Sequence, residues 1–341
     1  MVQKRKTEFD LCRIMACLGV VLIHANSDGF HIEPFDSWNF WVLDLLATGA
    51  RFAVPIFFML SGALLFSRET MDPWQTLRKR AGHVMALYLI WSLGYAVLRA
   101  VSGAFSDVHE FVYTVVAGHY HMWFLPAMAQ VYAFMPPVHA AIHGRKMDPR
   151  YLLCLFFFFG IFLTNCNLTP DPMPTLYRFT QIFSLDSLPY LGYAVWGWWL
   201  SEREMPRRML WLAPLVFLVT LLVTTQANFW YTFYYWDADG WLFSYFSLPN
   251  FLMSSAAFCF FLALRGRSFR HAEAARTLAD CTLGVYLLHP LLLNLLKQLG
   301  LVIRAGHVVG DTLLRYGLTV ALTFPLAWLL RKIPGIRKLL S

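Results

Sequence analysis

Ten apolar runs, most of them about as long as a bilayer is thick, follow one another along the chain with short polar breaks between them. A helix needs roughly 20 apolar residues to cross the hydrocarbon core. The runs fall at 9–28, 41–66, 81–103, 119–138, 151–166, 185–200, 209–226, 242–264, 280–298 and 312–331, the fifth and sixth being short. Because hydrocarbon offers no partner to a bare N–H or C=O, only helices and closed barrels can span it. Barrel strands alternate apolar and polar residues over about ten positions, whereas these runs are continuous. The expected fold is therefore all-α: a polytopic integral membrane helical bundle of about 10 transmembrane helices, forming one domain over residues 1–341. Composition agrees, since 58% hydrophobic and 14% charged residues with a mean hydropathy of +0.51 exclude an ordinary soluble domain.

Charge gives the bundle a direction. A net charge of +8 would point to nucleic acid if it were gathered on one face, but here it is dealt out to alternate loops, so no nucleic-acid partner is expected. With a cytoplasmic start, both termini and the cytoplasmic loops hold 21 of the 28 Lys and Arg residues. The exterior connections hold only Arg178, Lys297 and Arg304, while Arg13, Arg51, Arg99 and Arg315 lie in or at the ends of spans. That distribution obeys the positive-inside rule and sets both termini in the cytoplasm. Lys4-Arg5-Lys6 ahead of an apolar run imitates a signal peptide, yet Asp10 and Arg13 interrupt the run, so it reads as an uncleaved first span. Cys12, Cys17, Cys154, Cys166, Cys259 and Cys281 are scattered, with only Cys166 expected in an exterior segment, and no disulfide is expected.

Arg13 and His24 share the first span. Eleven helical steps of about 100° bring them within about 20° of one face, separated by roughly 16 Å of rise. An Arg at a helix centre costs about 2.5–3.5 kcal/mol on insertion scales, so such groups mark a path or pocket. The cation lies nearer the cytoplasm and the base deeper. An imidazole near neutrality can take a proton from an attacking hydroxyl; the competing reading of His24 is a packing histidine.

Other groups carry weaker signals. His119-Tyr120-His121-Met122-Trp123 opens the fourth span. Two histidines one residue apart diverge by about 200° on a helix and chelate poorly, so no metal is expected and His121 reads as a hydrogen-bonding pocket residue. Arg51 is expected near the exterior end of its span, where it would snorkel, and Pro55 with Ser61-Gly62 permits a kink and close helix approach. His289-Pro290 implies a bend with a freed carbonyl. Arg78, Lys79, Arg80 and His83 are explained by positive-inside anchoring, and would equally receive the phosphates of a cytosolic donor. In the exterior connections, 167–184 is Pro-rich and 227–241 crowds aromatic rings beside Asp237 and Asp239, a pattern of a membrane-interface belt or a sugar-stacking surface.

Taken in order, Asp10-x-x-Arg13 with ten residues to His24, Pro55-Ile56-Phe57-Phe58-Met59-Leu60-Ser61-Gly62, His121-Met122-Trp123-Phe124-Leu125 and Gly284-Val285-Tyr286-Leu287-Leu288-His289 resemble the membrane acyltransferase 3 family over essentially the whole chain. The resemblance implies a bacterial inner-membrane enzyme that moves an acyl group, usually acetyl from cytosolic acetyl-CoA, to a hydroxyl of a glycan or lipid-linked sugar, amid membrane lipids. It implies His24, Arg13 and Asp10 as the catalytic set and Arg13, Arg78, Lys79, Arg80 and His83 on the acyl-CoA donor. It places Arg51, His121, Trp123, Tyr286 and His289 in the substrate pocket. Where many members carry Arg-x-x-Arg, this chain has Arg80-Ala81-Gly82-His83. No appended hydrolase-like or racemase domain is expected, and direct and acyl-histidine transfer are both open. The alternative class is a transporter or flippase with Arg13 and His24 lining a solute or proton path, although the inverted repeats and paired broken helices that mark many transporters are not evident.

Overall fold

The computed structural model describes residues 5–103, 107–144, 147–162, 189–235, 241–304 and 307–340. In chain order the helices are α1 (Thr7–Ile32), α2 (Trp38–Ala50), α3 (Ala53–Leu65), α4 (Pro73–Thr76), α5 (Gly82–Val101), α6 (Val108–Ala117), α7 (Phe124–His143), α8 (Pro149–Leu155), α9 (Pro189–Ser201), α10 (Met209–Tyr235), α11 (Leu248–Leu262), α12 (Ala272–Gln298), α13 (Val308–Leu330) and α14 (Pro334–Arg337). A π-helical turn, Leu77–Ala81, joins α4 to α5, and a second, Phe156–Phe162, extends α8. No strand occurs among the described residues.

Among the described residues, five helical runs are long and apolar enough to cross a membrane: Trp38–Leu65, Pro73–Val101, Met209–Tyr235, Ala272–Gln298 and Val308–Leu330. Their surfaces suit lipid, as on α10, where Leu215, Leu218, Val219, Leu222 and Val223 are exposed, a stripe too apolar to face water. The chain is a membrane protein. Several expected spans take a different form. The 26 residues of α1 are long enough, but Glu8, Asp10, Arg13 and Asp28 lower its hydropathy. The run expected at 119–138 becomes helical only at Phe124, after a turn, and α11 is shortened to 15 residues because 241–247 forms a 3₁₀ turn and cap. The expected spans 151–166 and 185–200 lie partly outside the described residues, as do Cys166, the Pro-rich connection, Asp237 and Asp239.

The helices gather into two compact units, the first containing 5–60, 157–162, 200–235, 241–304 and 307–340, the second 61–103, 107–144, 147–156 and 189–199. In the first, α1 packs against α2, α11, α12 and α13, burying Phe9, Cys12, Ala16, Cys17, Val20, Val21 and Ala25. Gly19 makes the closest approach: a Cβ there would lie 2.8 Å from that of Ala53, and small residues are what let helix backbones come together in lipid. The helical run Trp38–Leu65 breaks at Arg51–Phe52 rather than at Pro55 itself. Pro55 lacks the N–H that would reach the carbonyl of Arg51, four residues back, so the ladder fails there.

In the second unit α5 packs against α6 and α7. Here the close approach expected at Ser61-Gly62 is found: any Cβ on Gly62 would collide with the carbonyl of Ala194. The Ser61 hydroxyl lies 3.7 Å from the Met128 sulfur and 3.4 Å from the Tyr132 hydroxyl.

Candidate active site

The first turns of α1 are an ion-pair cluster. Arg5 donates from Nε and Nη2 to the Asp10 carboxylate at 2.8 and 2.7 Å and reaches Asp280 on α12 with Nη1 at 2.8 Å. The Asp10 carboxylate beside it raises the Arg5 pKa above its ordinary value. Glu8, also buried, faces Arg265 at 3.6 Å. Asp10 is therefore engaged by Arg5, and at 1.5 Å per residue it stands roughly 21 Å from His24 along the axis. The structure does not bring it to the histidine.

Arg13, half-buried one turn further on, makes no ion pair among the described residues. His24 is half-buried, and its ring stacks on His289 of α12 with centroids 5.1 Å apart and planes at 30°. His289 is wholly buried, with Tyr286 at 6.2 Å between centroids. The Nδ1 of His289 lies 3.2 Å from the carbonyl of Val285. A carbonyl only accepts, so Nδ1 carries a hydrogen. Pro290 follows directly and removes the N–H that the carbonyl of Tyr286 would receive in an unbroken helix. Of the sequence-selected residues, His24, Tyr286 and His289 come together here.

Arg51 lies in the same unit at the α2–α3 break, midway along its helical run rather than near the exterior end. Its guanidinium sits over Phe243 at 4.5 Å and Tyr245 at 5.7 Å from the ring centroids. Nearby on α2 is a group that sequence reading passed over: Asp44, wholly buried, accepts from Asn228 at 2.7 Å and from Thr48 at 3.3 Å. Asp28 and Arg315, 2.9 Å apart, were missed as a pair because 287 positions separate them. Asp28 alone was discoverable as the i+4 neighbour of His24.

The remaining candidates belong to the second unit. Arg78, Lys79 and Arg80 ride on the π-helical turn Leu77–Ala81, a local form found often at functional sites. Lys79 and Arg80 line a cavity of about 270 Å³ with Arg68, Asp72 and Gln75; Arg78 and His83 are exposed beyond its lining. His121 is buried, and its Nδ1 approaches that of His119 at 2.9 Å while Tyr95 packs edge-on at 5.4 Å. The two histidines meet because residues 118–123 turn instead of continuing as helix. Among the described residues no three His, Cys, Asp or Glu side chains gather as metal ligands. Trp123 packs near Tyr190 at 6.0 Å.

Comparison with known proteins supports the family resemblance. The chain is 26% identical over 349 aligned residues to a protein named amino-acid racemase from Enterococcus faecalis, an alignment covering 96% of this chain and 46% of that protein. It thus spans about half the length of that relative. No solved structure matches the chain significantly. Residues 6–332 match the acyltransferase domain model of the acyltransferase 3 family. A match over nearly the whole chain, on a bundle of apolar helices, means that this membrane protein belongs to the acyltransferase 3 family.

Proposed function

We propose that the protein is a membrane O-acyltransferase that carries acetyl from cytosolic acetyl-CoA to a hydroxyl of a cell-surface or lipid-linked glycan, with His24 as base. The observation that carries this reading is the half-buried His24 ring stacked at 5.1 Å on His289 inside an acyltransferase-family chain. Stacking on a buried neighbour fixes the imidazole plane, which is what a positioned general base requires. His24 takes the proton of the acceptor hydroxyl as its oxygen attacks the thioester carbonyl. The C–O bond forms, the C–S bond breaks, and the CoA thiolate leaves to be protonated.

Arg13, which makes no ion pair among the described residues, is suited to an anionic donor; in the second unit, Arg78, Lys79 and Arg80, with His83, are suited to phosphates. Asp10 supports the base indirectly, by anchoring the start of α1 through Arg5. Arg51, Tyr286 and His289, in the same unit as His24, are assigned to the substrate pocket, while His121 and Trp123, in the second unit, are candidates by the family resemblance alone. The alternating loop charge supports ten spans with both termini in the cytoplasm of a bacterial inner membrane. Within the family, Ala50-Arg51 to Ser61-Gly62 and Tyr120-His121-x-Trp123-Phe124 resemble the inner-membrane O-acetyltransferase of enterobacterial common antigen. The test is deletion followed by mass analysis of surface glycans, with labelled acetyl-CoA supplied to membranes in parallel. Loss of an acetyl-sized increment, restored by the wild-type gene but not by His24→Ala, is expected; unaltered acetylation in the His24→Ala strain would overturn the scheme.

A further inference from the structure

One turn past His24, at the C-terminal end of α1, is a cavity of about 390 Å³, within the ~300–1,000 Å³ span of small-molecule sites. Asp28, Lys297 and Arg315 are its charged lining, beside the His31 ring, and Val302 and Ile303 supply apolar wall. Arg315 is the unusual member. It is 4% exposed, gives Nη1–H to Asp28 Oδ2 at 2.9 Å, and keeps Nε buried away from any acceptor among the described residues. On the same face of α13, Thr312 and Thr319 are wholly buried and their hydroxyls likewise lack a partner among the described residues. Buried polar groups are normally satisfied; of these three residues Arg315 is the one that lines the cavity, and it brings a buried cation to the wall.

The chemistry of the entrant follows from the donor set. Among the described residues two fixed cations, Arg315 and Lys297, face one carboxylate, Asp28, leaving an excess positive charge; His31 is occupied with the carbonyl of Ser27 at 2.7 Å. The excess calls for an anion. Asp28 can also accept from a hydroxyl, and the aliphatic wall suits the C–H face of a ring. Since Asp28 lies at i+4 from His24, the two side chains are neighbours on one face of α1.

We infer that this cavity is the acceptor subsite and that it takes a sugar unit bearing an acidic group, carboxylate or phosphate, held by Lys297 and Arg315 so that a nearby hydroxyl lies toward His24. The assignment of the cavity to the acceptor rests on the acyltransferase reading; its selectivity for acidic sugars does not. The test is titration calorimetry of the purified protein in nanodiscs with glucuronate, glucose 1-phosphate, glucose and inorganic phosphate. At least one acidic sugar is expected to bind ten times more tightly than glucose and than inorganic phosphate, and the better of the two identifies the acid group. Lys297→Gln, at an exposed position and therefore compatible with folding, should remove most of that preference; Arg315→Gln, checked by thermal unfolding, should remove the rest. Equal binding of glucose and the acidic sugars, phosphate binding as tightly as either, or a preference untouched by Lys297→Gln would each overturn the inference. Acetyl transfer from labelled acetyl-CoA by the same preparation separates the two failures. Acid selectivity without transfer defeats the acyltransferase reading alone, and transfer without selectivity defeats this one alone.

Discussion

The two ends of α1 hold charge in opposite ways. In its first turns, Asp10 and Glu8 are buried, and each faces an arginine, with Arg5 tying Asp10 to Asp280 of α12 and Arg265 facing Glu8. From Arg13 onward the cations have donors to spare: Arg13 makes no ion pair among the described residues, and Arg315 satisfies Asp28 while its Nε is left over. Matched charges of the first kind hold helix ends in register. A buried donor left unmatched among the described residues, as the Arg315 Nε is, costs about 1–3 kcal/mol, so it points to where a ligand completes the set. The contrast predicts that substitutions at one end damage folding and at the other damage chemistry.

The largest expected effect lies on the chemical side. His24→Ala should lower acetyl transfer by about 10²–10⁴-fold, the span of a lost general base, while thermal unfolding in detergent stays near the wild type. Equal loss from Asp10→Asn in a protein that unfolds at the wild-type temperature would break the contrast, since it would make the ion-paired end chemical as well.

At the other end, Arg5→Gln leaves a buried carboxylate without its partner and should lower stability by about 1–3 kcal/mol. Transfer per folded molecule should hold. The double variant Arg5→Gln/Asp10→Asn should regain part of the stability, because a neutral amide tolerates burial better than an orphaned carboxylate. Monitoring thermal unfolding and transfer together checks both halves; a double variant no better than the single one would show that Arg5 holds the helix through something other than this pair.

Arg13→Ala sharpens the chemical side at smaller magnitude. Its expected effect is a rise of about tenfold in the KM for acetyl-CoA with kcat nearly kept, the pattern of lost uniform binding. A drop in kcat at unchanged KM would move Arg13 from donor binding to the reacting centre.

What could be read from the chain follows the range of the interactions. The stripe from Arg13 to His24 was legible because helical periodicity is local, and the break at Arg51 follows from counting four residues back from Pro55. The stacking of His24 on His289 and the pairing of Asp28 with Arg315 join positions more than 260 residues apart, and no local pattern specifies which helix faces which. The partners of Asp10 were not legible either: Arg5 lies on the poorly patterned segment before α1, and through it Asp10 is tied to Asp280, 270 positions away. The length of α1 was legible but its polar residues keep it out of the five clearly apolar runs, which is what a helix enclosed by four others can afford.

The smallest effect tests whether burial is what separates the two kinds of charge. Arg5 and Asp280 meet at 2.8 Å with side chains 34% and 38% exposed, whereas the Asp10 side chain is 7% exposed. A pair this open to solvent contributes about 0.2–1 kcal/mol, so Asp280→Asn should lower stability only within that range. It should also lose its effect at about 1 M salt, where the screening length falls to about 3 Å. The deficit of Arg5→Gln should persist there, because the Asp10 carboxylate is buried and salt screens it poorly. Thermal unfolding of both variants at low and high salt gives the comparison directly. If Asp280→Asn costs as much as Arg5→Gln and resists salt equally, the Arg5 cluster acts as one shielded network, and the line between structural and chemical charge on α1 has to be drawn by connectivity instead of by burial.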